Sequence, residues 1–180
     1  MIYIYLAEGF EEVEALTAAD ILRRAGQDAQ LVSVTGALSV TGAHGITVQA
    51  DCLFEDAEDA ACEMLVLPGG MPGTKHLGEH TALCAKLKQF ADEGKWVAAI
   101  CAAPMVLGSL GILNGKHAVI YPGMEDFLIG AICESKAVVR DGNLITSQGP
   151  GTAMQFALAL VEALCGAKTS QGLAEELILK

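Results

Sequence analysis

The sequence predicts one α/β domain, residues 1–180, in which helices cover both faces of a mostly parallel central sheet. Short apolar runs alternate along the chain with amphipathic stretches, as in successive β-α-β units. No repeat, low-complexity segment or linker divides the 180 residues. Hydrophobic residues make up 52% of the chain and aromatic residues only 5%, so we expect a core of small aliphatic side chains. Such a core suits helices packed closely on a parallel sheet.

The N-terminal half is predicted to begin with a strand at residues 2–6, followed by a helix at 11–25 that ends at Gly26. Further strands are expected at 29–34 and 64–67, with a hairpin at 39–50. His76 and His80 lie four residues apart with Glu79 between them, but the HExxH arrangement of a zinc site is missing. Their segment is predicted to be a solvated surface turn.

The C-terminal half continues the same alternation. Pro104 suits the first turn of a helix, and Asp141-Gly142 is typical of a hairpin turn. The predicted elements are helices at 81–93, 103–110, 152–164 and 171–179, a strand at 96–100, and hairpin strands at 137–140 and 144–146.

Charge and composition exclude several classes of function. The net charge of −11, without a long basic cluster, disfavours nucleic-acid binding. No signal peptide, membrane span or nucleotide-binding fingerprint is visible, so we expect a cytoplasmic protein without a membrane partner, nucleotide cofactor or metal. The six cysteines are expected to be reduced thiols.

Cys101 is the leading candidate for a reactive residue. The strand at 96–100 runs directly into it, and a helix of small residues is predicted to follow. Unpaired N–H groups and the helix dipole at such an elbow favour the thiolate over the thiol. Ligands of open α/β sheets also bind at the carboxyl ends of the strands. An inert, buried cysteine in a tight turn is the alternative, and only the neighbouring residues favour the reactive interpretation.

Glu14 falls on the apolar stripe of the first predicted helix. At about 100° per residue, it lies in the middle of an arc formed by Phe10, Ala18, Ile21 and Ala25. A carboxyl group buried there should have a raised pKa, and its protonated form can donate a hydrogen bond to a thiolate. A partly exposed glutamate at the rim of the helix is the alternative. The preceding acids, Glu11 and Glu12, are interpreted as ordinary first-turn residues favoured by the helix dipole.

A second feature is the strand end Leu67-Pro68-Gly69-Gly70. Two glycines at a strand end expose backbone N–H groups without side chains to block them. We expect Gly69, Gly70 and the N–H of Ala102 to form an oxyanion hole for a carbonyl group attacked by sulfur. Taken alone, Pro-Gly-Gly indicates only a turn.

Four segments together resemble the DJ-1/ThiJ/PfpI superfamily, in the order and spacing that the family shows. They are residues 9–14, 67–70, 98–104 and 146–152. The resemblance covers nearly the whole chain and is nearest to the branch of the parkinsonism-associated protein deglycase and its bacterial relatives.

The resemblance implies a flavodoxin-like three-layer sandwich and a homodimer. It assigns the family's nucleophilic, oxidation-sensitive cysteine to Cys101 and its partner glutamate to Glu14. It assigns the oxyanion-hole groups to Gly70 and Ala102. The implied activities are glutathione-independent glyoxalase and deglycase reactions on methylglyoxal and its adducts, and redox sensing or chaperone roles.

Two departures from the family pattern concern histidines. The protease-like branch has His directly after the nucleophile, where this chain has Ala102, and the disease-associated branch has His before a proline, where this chain has Tyr121-Pro122. We expect Tyr121, Pro122 and Ala103 to line the pocket, with Tyr121 either donating a hydrogen bond or serving only as a wall. His117 matches no family motif and would come near the cleft only if its strand borders it.

Three functions compete at the sequence level. In the first, Cys101 attacks a reactive aldehyde or a glycated substrate to give a hemithioacetal, with Glu14 moving the proton. In the second, a redox-sensing stress protein or holdase chaperone oxidises Cys101 to a sulfinic acid stabilised by Glu14. In the third, the fold serves only dimeric assembly and Cys101 is unreactive. The physiological substrate is not specified by any motif.

Overall fold

A seven-stranded sheet forms the middle layer of the protein, whose computed structural model describes residues 1–179. The strands of the molecule in chain order are β1 (Ile2–Leu6), β2 (Ala29–Ser33), β3 (Ser39–Thr41), β4 (Thr47–Gln49), β5 (Cys52–Leu53), β6 (Met64–Leu67), β7 (Trp96–Ile100), β8 (His117–Ala118), β9 (Ile132–Cys133), β10 (Val138–Asp141) and β11 (Leu144–Ser147). The main sheet has the order β10-β11-β7-β6-β1-β2-β5, and every neighbouring pair except β10 with β11 is parallel. The run β2-β1-β6-β7-β11 is the flavodoxin-like strand order.

Helices cover both faces of this sheet. They are α1 (Glu12–Arg24), α2 (Gly73–Glu79), α3 (Thr81–Asp92), α4 (Pro104–Ser109), α5 (Ala153–Cys165) and α6 (Ala167–Glu176). Helices α1, α5 and α6 share one hydrophobic cluster, and α2, α3 and α4 share the other. The protein is therefore a flavodoxin-like three-layer α/β sandwich, as predicted. No helix within residues 1–179 combines the length and apolar character needed to cross a membrane.

Strand β1 shows how one sequence serves both cores. All five of its residues are at most 1% exposed. Ile2, Ile4 and Leu6 belong to the α1 side, whereas Tyr3 and Tyr5 belong to the α3 side, because successive side chains of a strand point to opposite faces. A continuous apolar run is thus the pattern of a central parallel strand.

Aliphatic side chains dominate the core on the α1 side, and alanine is the commonest of them. The buried alanines of the two packed helices are Ala15, Ala18 and Ala19 of α1 and Ala153 and Ala157 of α5. Phe156 is one of the few aromatic residues there and is fully buried.

Most predicted elements are confirmed to within one or two residues, and β1, β6 and β7 have the predicted bounds. The predicted surface turn at 76–80 is wrong, because helix α2 occupies residues 73–79. Its glycines lower the helix propensity, but Leu77 is fully buried and tertiary packing stabilises the helix. The terminal helix begins at Ala167 rather than 171, directly after Gly166 ends α5.

The carboxyl ends of β1, β6, β7 and β11 lie at one edge of the sheet, because these strands are parallel. Backbone hydrogen bonds connect the segments that follow them. The N–H of Glu11 donates to the carbonyl of Gly69 at 2.9 Å, and the N–H of Cys101 donates to the carbonyl of Ser147 at 2.9 Å. The candidate residues therefore meet at the edge where open α/β sheets bind their ligands.

Candidate functional site

Cys101 occupies a sharp elbow directly after β7. Its φ of +63° lies in the left-handed region, which non-glycine residues adopt at a cost of about 1–3 kcal/mol. The backbone around it is fixed on both sides, since its N–H donates to Ser147 and its carbonyl accepts from the N–H of Tyr121 at 2.9 Å. The thiol itself is half-buried. The elbow therefore holds the sulfur in one place at the sheet edge.

Glu14 lies in the first turn of α1 and is 1% exposed, so its predicted burial is confirmed. Its Oε2 accepts a hydrogen bond from the N–H of Gly69 at 2.7 Å. Its Oε1 is also buried and accepts no N–H or O–H bond from the residues that the structure describes. The carboxyl group lies close enough to the thiol of Cys101 for each to shift the pKa of the other. The two candidate side chains are in direct contact.

Burial raises the pKa of Glu14 from 4.5 to about 7, even though its hydrogen bonds from Gly69 and Cys101 act in the opposite direction. The pKa of Cys101 rises from 9.0 to about 12, first through burial and then through the charge and hydrogen bond of Glu14. The predicted preference for the thiolate is therefore wrong while Glu14 is ionised. The sequence argument counted the helix N-terminus but not the desolvation of the sulfur or the nearby carboxylate.

The N–H groups of Gly70 and Ala102 lie near the sulfur of Cys101 and favour its charged form, which acts to lower the pKa of the thiol. They are the two predicted oxyanion-hole donors that face the reactive atom. Gly69 does not belong to this set, because its N–H is occupied by Glu14. Its lack of a side chain is nevertheless required, since a Cβ there would lie 2.6 Å from the Cβ of Cys101 and 2.8 Å from Oε2 of Glu14.

The predicted pocket residues lie at different depths. Tyr121 is 48% exposed, and its ring stands beside the cleft, because a Cβ on Gly149 would lie 3.2 Å from the ring and 4.0 Å from the sulfur of Cys101. Pro122 is exposed next to it. Ala103 is 0% exposed and packs into the core on the α3 side, so its placement in the pocket lining is wrong.

Glu12 has a role that sequence reasoning missed. It is 3% exposed, and its Oε1 accepts from the N–H of His44 at 2.8 Å while its Oε2 lies 2.9 Å from Nδ1 of the same residue. Gly42 packs against the Glu12 side chain so closely that a Cβ would collide with it. Glu12 is therefore the anchor of the loop between β3 and β4, rather than an ordinary first-turn acid. Gly42 and Gly45, which flank His44, were the sequence feature that could have indicated this closely packed loop.

The other histidines have partners elsewhere. His117 lies 2.7 Å from Glu134, and Nδ1 of His76 lies 3.0 Å from the carbonyl of Glu8. His80 accepts from the N–H of Leu83 and caps α3. Within residues 1–179, none of these hydrogen bonds involves Cys101. The cysteine's side-chain partner is the carboxyl group of Glu14.

A model of the DJ-1/PfpI family matches residues 1–163. The chain belongs to the DJ-1/PfpI family. Among its relatives in that family, protein dj-1beta of Drosophila melanogaster is 38% identical over 178 residues, which are 98% of this chain and 95% of that protein. A deglycase of Pyrococcus abyssi is 38% identical over 153 residues, 83% of this chain and 90% of that protein. The predicted resemblance is confirmed.

Solved structures of the DJ-1/PfpI family have the same fold. Oxidised Toxoplasma gondii DJ-1 superposes with a TM-score of 0.94 at 35% identity, covering 98% of this chain and 97% of that one. Drosophila DJ-1beta also gives a TM-score of 0.94, at 37% identity, with 99% and 97% covered. Two Arabidopsis thaliana relatives, DJ-1 homologs B and A, are longer, and the chain spans 41% and 46% of their lengths.

Proposed function

We propose that this DJ-1/PfpI protein is a cysteine-dependent glyoxalase and deglycase that acts on methylglyoxal or its amine adducts. The observation that carries the proposal is the contact between the thiol of Cys101 and the buried carboxyl group of Glu14, beside the N–H groups of Gly70 and Ala102. The Pyrococcus abyssi relative, which is named a deglycase, supports it.

The first step is addition of sulfur to the aldehyde. Glu14, ionised above its pKa of about 7, accepts the thiol proton of Cys101. The sulfur then attacks the aldehyde carbon, and the electron pair of the C=O bond moves to oxygen. The N–H groups of Gly70 and Ala102 stabilise the developing oxyanion, and Glu14 returns the proton to complete the hemithioacetal.

The second step converts the hemithioacetal to product. Glu14 removes the hydrogen of the carbon bonded to sulfur and delivers a proton to the neighbouring ketone carbon, through an enediol. The result is a thioester of lactate on Cys101. Water hydrolyses this thioester, so the sum is methylglyoxal plus water giving lactate. With an amine adduct, the thiol displaces the amine to give the same hemithioacetal, and the repaired amine leaves with a proton.

Lactate release from methylglyoxal tests the proposal. We expect turnover to be lost in Cys101→Ala and reduced by about 100-fold or more in Glu14→Gln, as is typical for removal of a general base. Cys84→Ala is the matched control, because Cys84 is also a partly buried thiol but its sulfur bonds to backbone carbonyls away from the site. Full turnover in Cys101→Ala would exclude the mechanism.

A redox-sensing role is the second candidate, because the closely superposable Toxoplasma gondii DJ-1 structure is of an oxidised protein. Two molecules of peroxide oxidise the thiolate to a sulfinate and are themselves reduced to water. Protonated Glu14 would donate a hydrogen bond to the sulfinate. Intact-mass measurement at low peroxide should then show the mass of two added oxygens on Cys101 alone. Simultaneous oxidation of several cysteines would count against a sensor.

The homodimer implied by the family belongs to the same proposal. Val13 and Leu16 lie on the same side of α1 and are 51% and 36% exposed. Light scattering coupled to size-exclusion chromatography should give twice the mass of the chain, and Val13→Glu should shift it toward the single-chain mass. A monomeric wild-type protein would contradict the proposed dimer and leave the chemistry at Cys101 to be judged separately.

A further inference from the structure

We propose that Glu11, Glu12 and His44 form a binding site for a divalent transition-metal ion of the zinc type. One ligand atom from each of these side chains lies within 4.8 Å of the others. The two carboxylates come from the start of α1, and the imidazole comes from the loop between β3 and β4. The inference is independent of the proposed function, since it uses none of the reacting groups.

The separations between the donor atoms suit a small ion. Nδ1 of His44 lies 2.9 Å from Oε2 of Glu12 and 3.7 Å from Oε2 of Glu11. Metal–ligand bonds of about 2.0–2.2 Å in a tetrahedral site place neighbouring donors about 3.3–3.6 Å apart. An ion entering between these atoms therefore needs only small movements of the side chains. One imidazole and two carboxylates leave a fourth position open to water or another ligand.

The Glu11 carboxylate distinguishes this group from a simple glutamate–histidine pair. Its side chain is only 12% exposed, yet among the described residues it makes no hydrogen bond and faces His44 at 3.7 Å. Glu12 already binds His44, and its side chain is 4% exposed. This second carboxylate adds a third ligand atom for an ion that displaces the proton shared by His44 and Glu12.

Backbone N–H groups fix the positions of Glu12 and of the loop that carries His44. Oε1 of Glu12 accepts from the N–H groups of His44 at 2.8 Å and Ile46 at 3.3 Å, which fixes that carboxylate and directs its other oxygen toward the imidazole. The N–H of Ala43 donates to the carbonyl of Phe10 at 2.8 Å, so the loop is tied to the residue that precedes Glu11. Fixed ligands of this kind reduce the ordering cost of binding an ion.

Titration calorimetry of the reduced, full-length protein with zinc chloride tests the site. We expect the wild type to bind one zinc ion per chain. In His44→Ala and in Glu11→Gln, the affinity for zinc should fall by about tenfold or more. His117→Ala is the matched control, because His117 is exposed and lies 2.7 Å from Glu134 but joins no such three-residue group among the described residues. It should bind zinc as the wild type does. Circular dichroism of each variant checks that it is folded.

Thiols also bind zinc, so Cys101→Ala separates the two kinds of site. We expect this variant to retain the affinity, and cobalt substituted for zinc to show visible bands without a sulfur-to-cobalt charge-transfer band. Loss of binding in Cys101→Ala, unchanged affinity in His44→Ala, or no binding by the wild type would each overturn the proposal. None of these results bears on whether Cys101 turns over methylglyoxal without added metal.

Discussion

Glu14 should make the stability of the protein depend on pH in a way that a single substitution removes. Its pKa rises from 4.5 to about 7 on folding, because burial disfavours the charged form. The folded protein thus holds a proton that the unfolded chain releases more readily, so this stabilisation is complete below pH 4.5 and is lost as the pH rises through about 7. At about 1.4 kcal/mol per pH unit, the total is about 3 kcal/mol.

The Glu14→Gln variant keeps the shape of the side chain but does not ionise. We expect the free energy of unfolding in urea, wild type minus variant, to fall by about 3 kcal/mol between acid pH and pH values above the Glu14 titration. EDTA and a reductant keep metal binding and oxidation out of the comparison. Measuring the difference between the two proteins cancels the titration of the other acids.

The effect of the Cys101 thiol on Glu14 is tested with a second pair of proteins, both carrying Cys101→Ala. Because the thiol of Cys101 acts to lower the pKa of Glu14, the same comparison in a Cys101→Ala background tests whether burial alone raises the pKa of the carboxyl group. The fall in stability should persist there, since desolvation is the largest cause. Parallel pH profiles for wild type and Glu14→Gln would refute the reasoning. They would mean that the carboxyl group is solvated and is not the buried proton acceptor of the mechanism.

Three further outcomes follow from the same geometry. Iodoacetamide should modify Cys101 only at alkaline pH, because burial and the nearby Glu14 carboxylate raise the pKa of the thiol to about 12, and Glu14→Gln should move the alkylation midpoint downward by removing that charge. Peptide mass spectrometry reads both midpoints against exposed Cys133. Gly69→Ala should lower the free energy of unfolding in urea by about 1–3 kcal/mol and abolish methylglyoxal turnover, because the new Cβ would lie 2.6 Å from the Cβ of Cys101. Gly172→Ala is the control and should have neither effect, since its Cβ would meet no described atom within 4 Å. Phe156→Ala, at a fully buried position, should destabilise by about 3–5 kcal/mol in the same assay, and a loss under 1 kcal/mol would contradict the core described here.

Local patterns account for the features that the sequence predicts well. A central parallel strand is apolar along its whole length, so β1, β6 and β7 are visible as short runs between turns. Glu14 is identified because helical periodicity alone places it among buried side chains, and its 1% exposure agrees. Cys101 is identified because it directly follows an apolar strand. Each of these inferences uses information within a few residues.

The features that the sequence does not predict depend on contacts between distant segments. Helix α2 contains glycines and is stabilised by the packing of Leu77. The N–H of Gly69 is taken by Glu14, 55 residues away, which no local pattern at the Pro-Gly-Gly strand end reveals. The contact of Glu12 with His44 spans 32 residues in the same way. Which donor meets which acceptor is decided by the tertiary fold.

The pairing of a thiol with a carboxyl group has a consequence for the choice of substrate. A cysteine–histidine pair carries opposite charges when the thiolate forms, whereas Cys101 and Glu14 together carry one negative charge whichever of them holds the shared proton. Glu11 adds to that charge, since it raises the pKa of Glu14. An anionic substrate would be repelled from such a site, and an uncharged aldehyde would not. The electrostatics of the pair therefore favour small neutral carbonyl compounds, the class to which methylglyoxal belongs.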